Sequence, residues 1–323
     1  MTFPALTRLT GRLPRTTTSL VRRLAIASLV SQIAIVVTGG AVRLTASGLG
    51  CPEWPRCTPE SIVTTPEMGF HGVIEFGNRL LTFVLVIIAV AMIVAVLGMR
   101  RERKDLFRLS VGLFLGIPAQ AVIGGITVWT GLNPWIVGLH FVVSMVLVAL
   151  ATVLVNRARL TTEQYAIRRP AAAPALLRQL LVTSTVLTSV AVVLGVIVTG
   201  SGPHAGDHGA ARNGLDSDLM TRLHAVPVYL LVATVALAVV VAYRTDVHAK
   251  LRKALVLLTA VVLVQGAIGY TQHFLHLPVV LVALHMLGAS LLMAAAVHAH
   301  YTGTTRRTLP GTVAATRVPQ PVA

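Results

Sequence analysis

Long uninterrupted runs of apolar residues, separated by shorter polar connections, dominate the pattern of this chain. An α-helix needs about 20 predominantly apolar residues to cross a bilayer, and eight runs meet or approach that length. They cover approximately residues 24–42, 73–98, 109–128, 136–155, 180–199, 223–243, 254–271 and 279–299. The pattern therefore predicts an all-α polytopic membrane protein with eight transmembrane helices.

The last four runs repeat the first four. At an offset of 145 residues, PAQAVIGGITVWTGL (118–132) aligns with LVQGAIGYTQHFLHL (263–277). The second and sixth runs align at an offset of 146. The matched pairs are Gln120 with Gln265, Gly124 with Gly269, His140 with His285, Asn78 with His224, and Phe83 with Tyr229. Because each copy contains an even number of spans, the chain is predicted to form two parallel-repeat four-helix bundles.

This repeat predicts how the chain is divided. An N-terminal half (1–155) and a C-terminal half (180–301) are joined by a cytoplasmic linker (156–179). The basic segment 302–323 is expected to be a disordered tail.

The distribution of basic residues predicts the orientation. Of the 27 Lys and Arg residues, 22 lie before the first run, within 100–108, 156–178 and 244–253, or after 301. All of these segments fall on one side, and the positive-inside rule puts that side and both termini in the cytoplasm. The net charge of +16 is thus a topology signal with some attraction to anionic lipid; it does not indicate nucleic-acid binding. With 55% hydrophobic residues and a mean hydropathy of +0.79, the composition excludes a soluble protein.

One acidic residue, Glu75, lies inside a membrane-length apolar run. Ionisable groups at membrane depth are costly and are usually retained for a function. On a helix, His71, Glu75 and Asn78 share one face and Arg79 follows. This face is predicted to be a functional site.

Three histidines lie near the outer ends of spans: His140, His224 and His285. Neutral imidazoles that project inward from facing helices at one depth are suited to axial ligation of a haem iron. The C-terminal half supplies a complete pair, His224 and His285. The N-terminal half supplies His140 and the face with Glu75, so we expect a permanent electron-transfer haem in one half and a reaction site in the other.

Several other polar residues have two interpretations each. Arg79 and Arg222, at the outer mouths of their helices, could bind haem propionates or extend to lipid headgroups and water. Gln120 and Gln265 could contact a cofactor, but they are expected to form hydrogen bonds between helices. Cys51 and Cys57, in CPEWPRC of the first outward loop, predict a disulfide, either a structural link or a redox-active pair.

These motifs resemble the haem A synthase family, in particular its actinobacterial form. The similarity is carried by VTGGAVRLTASGLGCPEWPRC, EFGNRLLTF and VTGSGPHAGD and covers about residues 22–300. It implies a membrane oxidoreductase that converts a methyl group of haem O to the formyl group of haem A for haem-copper terminal oxidases. It also implies that His224 and His285 bind haem b and that His140 binds the substrate, haem O. Glu75 matches a glutamate implicated in catalysis, and Cys51 and Cys57 match the family's cysteine pair.

The sequence departs from the family at one position. Many bacterial members have E-x-x-H-R on the second helix, whereas this chain has E-F-G-N-R, with Asn78 in place of a haem ligand. Either His71 supplies the other axial bond or the substrate iron is five-coordinate on His140.

Two rival functions fit part of the pattern. A bis-His cytochrome b that exchanges electrons with quinone explains His224 and His285 but not Glu75. A transporter would need a polar path at the midplane, where these spans are aliphatic. The expected partners are haem O, a membrane haem O synthase that supplies it, oxidase assembly factors and membrane lipid. A homo-oligomer is compatible with this prediction, and the haem sites are expected toward the outer face of the cell membrane.

Overall fold

The computed structural model describes residues 16–166, 169–170 and 173–306. Within them, eight helices are long and apolar enough to cross a membrane, which confirms the predicted number of spans. They are α1 (Ser19–Leu44), α2 (Gly69–Leu97), α3 (Lys104–Trp129), α4 (Pro134–Ala158), α5 (Ala175–Ser201), α6 (Ser217–Arg244), α7 (Ala249–Phe274) and α8 (Val279–Thr304). The chain is a multi-pass membrane protein.

The smaller elements lie in the connections. A single 3-10 turn (Pro66–Met68) leads into α2, and a short helix (Thr162–Ala166) follows α4. Two short strands, β1 (Arg169–Pro170) and β2 (Thr305–Arg306), pair antiparallel.

Some helices begin before their apolar runs, at points where a polar side chain caps the first turn. The Thr18 hydroxyl accepts from the Val21 N–H at the start of α1, and the Asp216 carboxylate accepts from the Leu219 N–H at the start of α6. Such caps satisfy amide groups that have no partner within the helix. Sequence hydropathy therefore locates the spans but underestimates their lengths.

The eight helices form two rings of four. In the first, α1 packs on α2 and α4, and α3 packs on α2 and α4; α5–α8 repeat this arrangement. The rings meet where α8 contacts α1 and α4, and where α4 contacts α5. The core at this junction consists of Val36, Met145, Val148, Met293 and Val297.

The expected tail begins later than predicted. Helix α8 continues to Thr304, and residues 305–306 pair with residues 169–170 of the connection between the halves. Residues 302–306 are therefore not disordered, because they continue the last helix and then form a strand. Residues 307–323 of the predicted tail, and Arg8, Arg12 and Arg15, lie outside the described residues.

Two ends of the bundle are distinguished by their connections. The cysteine end carries the connections 45–65, 130–133, 202–216 and 275–278, and the basic end carries 98–103, 159–174 and 245–248. At the basic end, Arg103 is 0% exposed and bonds both carboxylate oxygens of Asp105, at 3.0 and 3.2 Å. It also donates to the carbonyls of Leu160 and Arg157, each at 2.9 Å. This cation fastens the α2–α3 turn to the end of α4.

Arg103→Ala is expected to lower the free energy of unfolding by about 3–5 kcal/mol, because it leaves the Asp105 carboxylate buried without its main partner. Thermal unfolding of the purified protein in detergent, followed by circular dichroism, measures the effect. Arg101→Ala is the matched control, since Arg101 lies in the same turn but is exposed. Equal melting temperatures for the two variants would contradict this account.

Candidate functional site

The C-terminal half holds a pair of inward-facing imidazoles. The Nδ1–H of His224 on α6 donates to the Ala191 carbonyl at 2.9 Å, which fixes the ring so that Nε2 is the basic nitrogen. His285 reaches inward from α8 to the backbone of α7 at Gly269. Within the described residues, Nε2 of neither histidine forms a hydrogen bond, and neither atom is buried. Both Nε2 atoms therefore face accessible space. Two such nitrogens can act as axial ligands of a haem iron.

Each imidazole rests on a glycine of a neighbouring helix. A Cβ added to Gly195 on α5 would lie 3.1 Å from Cε1 of His224, and one added to Gly269 on α7 would lie 3.3 Å from Cε1 of His285. In the N-terminal half, the same test at Gly124 on α3 gives 3.4 Å to Cε1 of His140. The glycines permit the close approach that a side chain would obstruct.

Asn78 on α2 is the repeat counterpart of His224 on α6. Its Oδ1 accepts a hydrogen bond from the Thr38 hydroxyl of α1 at 2.7 Å. Gly39 lies beside the carboxamide, since an added Cβ there would be 3.9 Å from Nδ2. Asn78 therefore occupies the place on α2 that His224 has on α6, next to a glycine of the preceding helix.

Gln120 and Gln265 form the interhelical hydrogen bonds that the sequence predicts. Nε2 of Gln265 donates to the His285 carbonyl at 2.7 Å, and Nε2 of Gln120 donates to the His140 carbonyl at 3.1 Å. This prediction is confirmed. The same contact thus recurs at an offset of 145 residues.

Glu75 is buried, at 6% exposed, and both of its carboxylate oxygens have partners. Oε2 accepts from the Cys51 N–H at 2.7 Å, and Oε1 accepts from Arg79 at 2.6 Å. The guanidinium of Arg79 donates further to the carbonyls of Cys51, Glu53 and Arg56. Glu75 and Arg79 thus hold the segment 51–57, here called the cysteine loop, against α2.

The cysteine loop also covers α3 beside His140. The Trp54 ring lies against Gly125, where an added Cβ would collide with it, and it packs edge-on to Trp129 with ring centroids 5.3 Å apart. Nε1 of Trp129 donates to the Trp54 carbonyl at 3.2 Å. Gly125 adjoins Gly124, on which His140 rests. The loop therefore connects the Glu75 carboxylate to the wall of the His140 site.

The remaining predicted residues lie at the cysteine end. Nδ1 of His71 is hydrogen-bonded to the Ser47 hydroxyl at 2.9 Å, and its ring is otherwise exposed. Arg222 is exposed and forms no hydrogen bond or ion pair within the described residues. The sulfur atoms of Cys51 and Cys57 lie at bonding distance, with Cα atoms 4.4 Å apart, and both residues are buried.

Sequence reasoning missed the role of Arg43, which joins the two halves. Its guanidinium donates to the His204 carbonyl at 2.5 Å and to the Thr199 carbonyl at 2.9 Å. His204 in turn donates from Nε2 to the Leu277 carbonyl at 3.0 Å. Nothing in the sequence indicated a partner about 160 residues away along the chain.

Comparisons with known proteins point to one family. A family model described as cytochrome oxidase assembly protein matches residues 22–205, more than half of the 323-residue chain. This region includes Glu75, Arg79 and His140, whereas His224 and His285 lie beyond it.

Curated relatives carry a more specific name. The chain is 37% identical over 130 residues to Heme A synthase of Lysinibacillus sphaericus, covering 38% of this chain and 39% of the relative. It is 36% identical over 107 residues to Heme A synthase of Geobacillus kaustophilus, covering 33% and 32%. It is 29% identical over 166 residues to Heme A synthase of Exiguobacterium sibiricum, covering 51% and 54%. The chain spans between about a third and a half of the length of these relatives.

Proposed function

The chain belongs to the family of cytochrome oxidase assembly proteins, and from this premise we propose that it is a haem A synthase. In this proposal it oxidises the methyl group of haem O to the formyl group of haem A, the form used by haem-copper terminal oxidases. The observation that carries the proposal is the inequality of the two histidine sites. One half has two facing imidazoles, while the other has one imidazole, a carboxamide and a buried carboxylate.

His224 and His285 would hold haem b through their Nε2 atoms. When bound, haem b supplies one-electron transfer at its iron. The residues fit this group because both Nε2 atoms face accessible space and both rings rest on glycine. Arg222 is exposed and unpaired at the same end of α6, so it is suited to a propionate carboxylate.

His140 would hold the substrate, haem O, in the N-terminal half. Asn78 is a weak iron ligand and its Oδ1 is already bonded to Thr38, so we propose that His140 is the principal protein ligand. His71 is bonded through Nδ1 to Ser47; its Nε2 is the atom that would provide a second axial bond if one forms. A single protein ligand is consistent with a haem that must enter and leave.

Glu75 is the proposed proton acceptor. Converting a methyl to a formyl group replaces two hydrogen atoms by one oxygen atom, an oxidation that also needs an external electron acceptor and an oxygen donor. A positioned carboxylate can accept a proton that leaves the carbon in such a step. The Cys51 N–H and the Arg79 guanidinium fix the position of this carboxylate. Since Arg79 is already bonded to the cysteine loop, we assign it to holding Glu75 and the loop. The earlier prediction that Arg79 binds a propionate stays a prediction.

The orientation and the cysteine pair follow from the charge pattern. We propose that the basic end and both termini face the cytoplasm and that the cysteine end faces outward. There Cys51 and Cys57 would form a disulfide that stabilises the cysteine loop over the substrate site. A membrane haem O synthase would supply the substrate, and an assembling oxidase would receive the product.

Co-expression tests the proposed function. Cells that contain a haem O synthase but no haem A synthase should accumulate haem A when this chain is expressed, and only haem O when the vector is empty. Extracted haems are separated by chromatography and identified by mass. Haem O alone in both cultures, with the protein present in the membrane, would contradict the proposal.

Gly269→Ala is expected to weaken haem b binding, because the added Cβ would crowd the His285 ring. Overpacking of this kind costs about 1–3 kcal/mol, so the purified variant should retain less haem b at equal protein concentration. Gly266→Ala is the matched control on the same helix, where an added Cβ meets nothing within 4 Å. Equal haem content in the two variants, measured by absorbance of the pyridine complex, would argue against the glycine contact.

A further inference from the structure

Two carboxamides inside the bundle hold the backbone of the histidines. Gln265 on α7 is 8% exposed, and its Nε2 bonds the carbonyl of His285 on α8. Gln120 on α3 bonds the carbonyl of His140 on α4 in the same way. A carboxamide inside an apolar bundle is costly unless its polar atoms are satisfied. These bonds satisfy only the Nε2 end.

The oxygen of each carboxamide and one ring nitrogen of each histidine have no hydrogen-bond partner among the described residues. Among the described residues, Oε1 of Gln120 and Oε1 of Gln265 are buried without a partner, as are Nδ1 of His140 and Nδ1 of His285. Each half therefore has one acceptor and one ring nitrogen unsatisfied on two residues that are already bonded to each other. The same set recurs in both halves, which argues against an accident of one site.

Iron bound at Nε2 would make Nδ1 of each histidine a hydrogen-bond donor, for which the unpaired Oε1 of the glutamine is a suitable acceptor. An imidazole that binds iron through Nε2 carries its proton on Nδ1, and metal-bound histidines usually donate this N–H to a carbonyl, a carboxylate or water. His224 already donates to the Ala191 carbonyl, but His285 and His140 have no such acceptor in the part of the chain that the structure describes.

We propose that Gln265 and Gln120 are positioning residues for the iron-binding histidines. Nε2 of each glutamine fixes the histidine backbone, and Oε1 accepts the Nδ1–H directly or through one water molecule. The inference rests on the proposed function, since it assumes iron at Nε2. It adds residues that set the orientation and the electron density of the ligands.

A glycine beside Gln265 allows the position of its carboxamide to be changed by a second, independent substitution. Its carboxamide lies directly against Gly288, where an added Cβ would collide with Oε1. In the N-terminal half, Gln120 instead donates also to the Ser144 hydroxyl. A methyl group at position 288 should therefore displace the Gln265 carboxamide without removing it.

The test uses the purified full-length protein with its haem b. In Gln265→Leu, the midpoint potential of the C-terminal haem should shift upward, because an imidazole whose N–H has no acceptor donates less electron density to ferric iron. The electron paramagnetic resonance signal of the ferric low-spin haem should shift as well. Gly288→Ala should shift both in the same direction while retaining Gln265.

Gln272→Leu is the matched control. Gln272 also lies on α7 with a buried unpartnered Oε1, but its side chain has no bond to α8 among the described contacts. If Gln265→Leu loses its haem, the midpoint potential and spectrum of Gly288→Ala alone test the inference. Unchanged potential and spectrum in the variants that retain haem, or an equal shift in Gln272→Leu, would overturn the inference. Absence of haem b from the wild-type protein would instead overturn the proposed function.

Discussion

Glu75→Gln is expected to lower haem A formation by roughly 100-fold or more, the usual contribution of a positioned proton acceptor, while haem b content stays at the wild-type level. The glutamine has nearly the same shape and can still accept a bond from the Cys51 N–H or from Arg79, so the cysteine loop should keep its place. Haem O should accumulate in the variant. Haem composition of membranes that contain the variant and a haem O synthase measures both quantities.

The control for this prediction is Arg79→Gln. It removes the guanidinium that bonds Glu75 and three loop carbonyls but leaves the carboxylate. If Glu75 accepts a proton, Arg79→Gln should retain more haem A formation than Glu75→Gln. Equal losses in the two variants would mean that Glu75 acts by holding the loop.

His285→Ala is expected to abolish haem b binding, and His140→Ala is expected to leave it intact. The reason is that the two imidazoles belong to different halves and rest on different glycines, Gly269 and Gly124. Both variants should lose haem A formation, one for lack of electron transfer and the other for lack of a substrate ligand. Absorption spectra of the purified variants, with haem content per protein, separate the two defects.

The exposed His273 provides the control for the histidine variants. It lies on α7 at the cysteine end and packs edge-on to Phe274 with ring centroids 5.6 Å apart. His273→Ala should keep both haem b and haem A formation. Full haem b content in His285→Ala would exclude His285 as a ligand. Loss of haem b in His140→Ala would mean that haem b is held in the N-terminal half, which would contradict the assignment to His224 and His285.

Features with a local or periodic origin could be predicted from the sequence. The spans follow from apolar length, and the Gln265 and Gln120 bonds follow from a polar residue in the middle of a span that must find a partner on the next helix. The histidine positions follow from the repeat.

Contacts across long stretches of chain could not be predicted. Arg43 reaches carbonyls of the other half, and His298 on α8 is bonded to Asn156 on α4 at 2.8 Å. The periodic pattern of apolar and polar residues contains no information on hydrogen bonds between residues so far apart in the chain.

In the candidate site, too, the local features were predictable from the sequence and the long-range contacts were not. The polar face of α2 was predicted with His71, Glu75 and Asn78, but their partners were not. The helix pattern contains no information on how the cysteine loop folds back, so the bond from Glu75 to the Cys51 N–H and the packing of Trp54 on Gly125 required the structure. Neither interpretation of Arg79, a haem propionate or lipid headgroups and water, included the loop carbonyls, because a place at the mouth of a helix says nothing about nearby loop backbone.

The central claim is that this chain changes haem O in a half distinct from the one that holds haem b. The most direct test adds haem O to the purified wild-type protein and to His140→Ala, supplies electron-transfer mediators and oxygen, and identifies the extracted haems by mass. The account predicts haem A and a hydroxylated precursor from the wild-type protein, haem b in both preparations, and unchanged haem O from His140→Ala. Haem b with unchanged haem O in the wild-type protein would contradict the account and identify the chain as a cytochrome b.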